Sequence, residues 1–255
     1  MNGSSMKTYK LISCEVLYRE LCHALARSPH KIDVEFLPKG LHDIGCTGML
    51  GRLQAVVDRV EASRYDAILL GYGLCNYGIS GLRAPSIPVV VPRAHDCMTL
   101  FLGSKERYLS YFNDNPGTFF LTTGWIERGE DNGELKQLSI QSQTGMNMTY
   151  PELVEKYGED NARFLWDELC DTTRNYRQMT FIEMGIEPDD RFLVKAQERA
   201  AEHDLSFAKE RGDMRLFYSL LNGEWDEKDF LVVPPGWRVV ARLDENIVAA
   251  EEGGQ

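Results

Sequence analysis

The chain has 255 residues, with 39 acidic and 28 basic side chains and a net charge of −11. That surplus of carboxylates, with no basic run, argues against nucleic-acid binding, which depends on Lys and Arg displacing counterions from phosphates. An apolar content of 43% beside 26% charged residues fits a globular chain with a sizeable core and excludes disordered and collagen-like classes.

The opening MNGSSM is polar and lacks an apolar stretch, so it reads as a ragged start or tag remnant and not as a signal peptide. From Lys7 to Cys14 the chain reads as a strand, and Glu15 to Arg27 places Leu17, Leu21, Ala24 and Leu25 at helical spacing. Ser28-Pro29-His30 breaks the helix. Lys31 to Leu37 alternates as a second strand, and Met49 to Ala62 is a second amphipathic helix. Tyr65 to Gly73 is the continuous apolar run of a strand covered on both faces, followed by a Gly-rich loop to Leu82. Ile87 to Pro92 is a fourth strand, Met98 to Phe112 a helix and Gly117 to Thr123 a fifth strand. The longest apolar runs, at 67–70 and 87–91, fall far short of the roughly 20 residues of a membrane span. The expectation is a cytoplasmic protein that neither crosses a membrane nor binds nucleic acid.

After Trp125 the chain is more polar. Glu127 to Gln141 reads as loop, with a hairpin around Asp131-Asn132-Gly133. Pro151 to Leu169 reads as a helix, Met179 to Met184 as a strand, Asp189 to Glu210 as a long charged helix, Asp213 to Leu221 as a short helix and Phe230 to Val233 as a last strand. Strands alternating with helices imply an α/β fold with an open, mostly parallel sheet and helices on both faces. The division is an N-terminal half at 7–126 carrying the site and a C-terminal half at 127–245 packed against it, the second open to reading as a pseudo-repeat of the first. Ligands of such sheets bind beyond the carboxyl ends of the strands.

That edge collects the unusual residues. Cys14 ends the first strand; His42 and Cys46 follow the second; Cys75 follows the third; His95, Asp96 and Cys97 follow the fourth. Thiolate and imidazole are preferred ligands of zinc and of iron–sulfur or haem iron. Cys75, Cys97, His95, His42 and Cys14 are therefore the candidate metal ligands. In an extended His95-Asp96-Cys97 the ligand side chains share one side and Asp96 faces away, free to orient a ligand. Three ligands would leave an open, catalytic position and a fourth would close it. Cys22 and His23 within the first helix, and Cys170 at a helix end, read as packing or surface residues.

Gly71 and Gly73 lie in a loop that fits neither the dinucleotide nor the Walker pattern; their use is in tight turns and close ligand approach. Gly103-Ser104-Lys105 reads as helix punctuation. Trp125 offers an aromatic wall to a flat ligand, and Arg93 a fixed positive charge for a carboxylate or phosphate. Glu15 caps the first helix or acts near the site, Asp43 is placed to orient His42, and Tyr176 with Arg177 could reach across the cleft.

The segments Ser13 to Leu17, Leu41-His42, Leu70 to Cys75, Pro92 to Cys97, Leu102 to Ser104, and Gly117-Thr118 through Thr122 to Trp125 together resemble the DUF1638 family of bacterial and archaeal proteins, over most of residues 9–240. Asn76 departs from the small residue expected there. The resemblance implies an association with anaerobes and corrinoid-dependent methyl transfer, with a corrinoid protein as partner. The His-x-Cys pair is also similar to that of zinc-dependent methyltransferases that activate thiols on another fold. The leading functional expectation is a metal-binding protein, a zinc-dependent enzyme or methyl-transfer component that activates a thiol or other small-molecule substrate. The alternatives are an accessory protein carrying a corrinoid or iron–sulfur centre without turnover, and a metal-free enzyme with Cys75 or Cys97 as a nucleophile paired to His95.

Overall fold

The computed structural model describes residues 5–128, 133–144, 146–170 and 175–253. β1 (Thr8–Cys14) passes through a 3-10 turn (Glu15–Leu17) into α1 (Tyr18–Leu25), and β2 (Lys31–Leu37) through a second 3-10 turn (Lys39–Ile44) into α2 (Gly45–Asp58). β3 (Ala67–Gly71), β4 (Val89–Pro92), α3 (Cys97–Leu102), α4 (Lys105–Asp114), β5 (Thr118–Leu121) and α5 (Thr123–Arg128) follow. Beyond them lie α6 (Ile140–Thr144), α7 (Tyr150–Tyr157), α8 (Glu159–Leu165), β6 (Gln178–Glu183), α9 (Arg191–Glu202), β7 (Ser206–Arg211), α10 (Arg215–Asn222), β8 (Phe230–Val233), β9 (Trp237–Ala241) and β10 (Val248–Glu252).

The α/β class holds. The main sheet has the order β2-β1-β3-β4-β8, with β2, β1, β3 and β4 parallel and β8 antiparallel to β4. Every residue of β3 and β4 is buried. Because successive side chains point to opposite faces, a wholly buried strand is one covered on both sides, as their unbroken Val, Ile and Leu runs require. Among the described residues no helix is long and apolar enough to cross a membrane.

Four elements differ from the sequence expectation, one of them the helix expected over 151–169, which breaks at Gly158, φ +78°, into α7 and α8. The fifth strand does not join the first four: β5 pairs in parallel with β6, and β6 with β7, in a separate sheet, while the edge of β4 is taken by β8. The helix expected over 98–112 is two, because Gly103 takes a left-handed φ of +80° and Ser104 then accepts the Arg107 N–H as the cap of α4. The long charged helix ends at Glu202, and Ser206–Arg211 is a strand. It lies at a sheet edge, where charged side chains stay in water; Lys209 pairs across to Glu183 at 3.1 Å. Residues 131 and 132 of the expected hairpin lie outside the described residues, and 133–138 form a 3-10 turn.

Two apolar cores serve the two larger sheets, and Trp125 packs against both. Within the first, Glu20 of α1 is fully buried, and its carboxyl oxygens meet no hydrogen-bonding group of another described residue. Burial, reinforced by the Glu187 carboxylate, pushes its pKa up to about 8 from an ordinary 4.5. The folded chain thus keeps a proton that the unfolded chain releases, and stability falls as pH rises from about 4.5 to about 8, then levels off. Glu20→Gln removes this dependence: urea denaturation near pH 5 and near pH 8 should show the variant gaining on the parent at the higher pH, whereas parallel curves would contradict a neutral Glu20.

Candidate functional site

Parallel pairing brings the carboxyl ends of β1, β3 and β4 to one edge of the main sheet. There Cys14, Cys75 and Cys97 are buried, with 2%, 6% and 5% of their surfaces exposed. They are close enough that the charge of Cys14 is felt at Cys75 and the charges of both at Cys97. His42 completes the group, its Nε2 lying 3.5 Å from Cys14 Sγ. The 3-10 turn that carries His42 is tied to this position by Glu15, whose carboxylate accepts the Lys39 N–H at 2.8 Å. Glu15 therefore positions the site.

The Cys75 loop is held under strain. Cys75, Asn76 and Tyr77 all have left-handed backbones, with φ of 47°, 55° and 65°, a conformation that costs roughly 1–2 kcal/mol for each L-residue. Asn tolerates it better than most residues, which accounts for Asn76. The strain is sustained by two ladder bonds to the loop after β4, Leu74 N to Ala94 O at 2.7 Å and Cys75 N to His95 O at 2.9 Å. Gly73 permits the approach, since a Cβ there would stand 2.8–2.9 Å from the backbone of Asp96. Gly71 meets a packing demand instead: its Cβ would lie 2.1 Å from Ser13 Oγ.

The His95-Asp96-Cys97 geometry differs from the extended form expected. Cys97 opens α3, and Asp96 is its N-cap, accepting the N–H groups of Met98 and Thr99 at 2.9 and 3.4 Å. The helix start turns Asp96 inward, where it also accepts the Tyr108 hydroxyl at 3.1 Å, and leaves His95 exposed with its ring stacked on Tyr108. Asp96 lines the cavity and His95 does not. Arg93 is likewise absent from the wall, its guanidinium donating to the carbonyls of Glu227, Asn246 and Val248.

The cavity, about 540 Å³, lies between this edge and the N-terminal end of β5. His42, Cys75, Asp96, Cys97 and Trp125 form one wall, and Trp125 Nε1 donates to Cys97 Sγ at 3.4 Å. Tyr176 lines it as well. Tyr108 and Phe112, which the sequence does not single out, line it too, and Tyr72 is buried outside its lining. Tyr72 sits between Gly71 and Gly73, and Tyr108 and Phe112 stand four apart on one face of α4, a spacing that pattern alone contains. Cys46 is exposed, and Cys22 and Cys170 are half-buried away from the wall.

Burial sets the protonation of the group. It raises Cys14 to about 12, raises Cys75 and Cys97 as well, and lowers His42, so at neutral pH the thiols and the imidazole are all uncharged. That direction is opposite to the thiolate–imidazolium of a cysteine nucleophile. Among the described residues no three His, Cys, Asp or Glu side chains stand preassembled around a metal position.

A protein-family model described as "Protein of unknown function (DUF1638)" matches residues 36–221. The match spans His42, Cys75, Cys97 and Trp125 but not Cys14. No curated protein and no solved structure matches the chain.

The contact at Gly73 yields a direct test. Gly73→Ala forces the Cys75 and Cys97 loops apart, which should cost about 1–3 kcal/mol in chemical denaturation and alter the Trp125 environment in fluorescence; unchanged stability and emission would show that the loops tolerate separation.

Proposed function

We propose that this chain, which belongs to the DUF1638 family, is a zinc-binding protein in which Cys14, Cys75, Cys97 and His42 supply the donors and the cavity admits a small-molecule substrate. The observation that carries the reading is the convergence of three buried thiols and an imidazole from four separate segments. The Cys14–His42 separation of 3.5 Å supports it. Zinc bonds of about 2.3 Å to sulfur and about 2.0–2.1 Å to nitrogen, at a tetrahedral angle, put the two atoms about 3.6 Å apart. A hydrogen bond also accounts for that distance, so the metal assignment needs Cys75 and Cys97 to close on the pair as they exchange protons for the ion.

Tyr72 supports the same reading. It is 1% exposed, its hydroxyl has no partner among the described residues, and burial, with Cys14, Cys75 and Glu15 within electrostatic reach, holds its pKa well above the ordinary value. Buried hydroxyls are nearly always bonded, and a thiolate generated within reach of this one would accept a hydrogen bond from it. Bound zinc supplies a Lewis acid that lowers the pKa of a thiol or water placed at an open position. Loss of one of the four donors from the ion would provide that position; binding by all four would make the metal structural.

Elemental analysis of anaerobically purified protein should find about one zinc per chain and a colourless spectrum, lost in Cys75→Ser and in Cys97→Ser. Visible absorption with iron or cobalt in place of zinc would favour the iron–sulfur or corrinoid reading, and metal-free protein that takes up none overturns metal binding altogether. Tyr72→Phe should weaken zinc affinity about 10-fold in a chelator competition while leaving the stoichiometry unchanged.

A further inference from the structure

We infer that the outer part of the cavity recognises a small organic cation, an alkylated ammonium group foremost. The inference deepens the preceding reading and rests on it only in taking the cavity as a ligand site. The wall carries Tyr108 and Phe112 from α4, Phe119 and Phe120 from β5, Trp125 from α5, and Tyr176 from the segment before β6. The Tyr108 and Phe112 rings stack with centroids 6.2 Å apart and planes 17° from parallel, and Phe119 and Tyr176 meet edge to face at 5.1 Å. Ring faces attract cations through their quadrupoles, and the attraction grows as water is excluded.

Charge points the same way. Asp96 brings a carboxyl group to the wall, and neither Lys nor Arg is among the described residues that line it. Among the described lining residues a carboxylate or phosphate ligand would therefore meet a carboxyl group and no Lys or Arg. A primary ammonium needs acceptors for three N–H groups; on the wall Asp96 already accepts from Met98, Thr99 and Tyr108, and the Thr118 hydroxyl donates to Asn115 O at 2.9 Å, which leaves, beside His42 and the thiols, Asn76 and Tyr176 as the other polar side chains. A methylated cation asks only for apolar contact and a nearby acidic group, and the aromatic rings and Asp96 supply those. The Lys39 ammonium stands 5.3 Å from the Trp125 ring and pairs with Asp43 at 3.7 Å. Trp125 is thus already engaged by a cation, and the other aromatic side chains of the wall, Phe112 and Tyr176 among them, are those left to meet a ligand.

Calorimetric titration of the full chain with choline, tetramethylammonium, the uncharged choline isostere 3,3-dimethylbutanol and acetate tests the assignment. Choline should bind about 10-fold tighter than its neutral isostere, acetate should not bind, and Phe112→Leu and Tyr176→Leu should each weaken choline several-fold. Equal affinity for the neutral isostere, which would mark a general apolar pocket, overturns the inference; so does choline binding untouched by both substitutions, or no binding of either cation. Zinc content measured on the same samples separates the two readings. Choline binding by protein unable to take up zinc sustains the cation site and removes the metal, and zinc-loaded protein indifferent to cations removes the cation site alone.

Discussion

Two backbone hydrogen bonds, from Leu74 to Ala94 and from Cys75 to His95, join the loops that leave adjacent parallel strands, and the candidate site is built on them. They hold three successive residues in a left-handed turn that the sequence itself disfavours. That turn keeps Cys75 within electrostatic reach of Cys97. Parallel pairing is what makes the junction possible, since it delivers β3 and β4 to the same edge with their chains running the same way.

The electrostatics follow from this placement. A thiol buried at the sheet edge loses water, and at Cys14 that loss outweighs the opposing charge of Lys39, so its proton is retained; the same burial strips His42 of its proton. The result is a neutral cluster of soft donors beside a cavity whose charged wall group is a carboxyl. Glu15 contributes at one remove, fixing the Lys39–Ile44 turn and pairing with Arg128 of α5 at 3.7 Å. One carboxylate thus ties the His42 turn and the Trp125 helix to the end of β1.

Trp125 joins the two larger sheets. It packs on both cores and donates to Cys97, so the cavity takes one wall from the edge of the main sheet and another from β5 and the segment leading to β6. The halves expected from composition are interleaved: β5 pairs with strands of the later chain, and β8 returns to complete the first sheet.

The sequence determined the α/β class, the positions of β1 to β4 and the gathering of Cys14, His42, Cys75 and Cys97 at one edge, because unbroken apolar runs and crossover connections leave few other arrangements. It also contained the i, i+4 spacing of Tyr108 and Phe112. Tertiary structure alone decided that β5 would leave the first sheet, because strand spacing carries no information about which free edge a strand will find. It decided as well that His95 would face water while Asp96 turned inward: a helix beginning at Cys97 replaces the two-residue alternation of a strand with the cap geometry of its first turn. The Tyr72 hydroxyl, without a partner among the described residues, belongs to the same class of fact, since whether a buried oxygen finds a donor or acceptor depends on neighbours that the chain brings together only when folded.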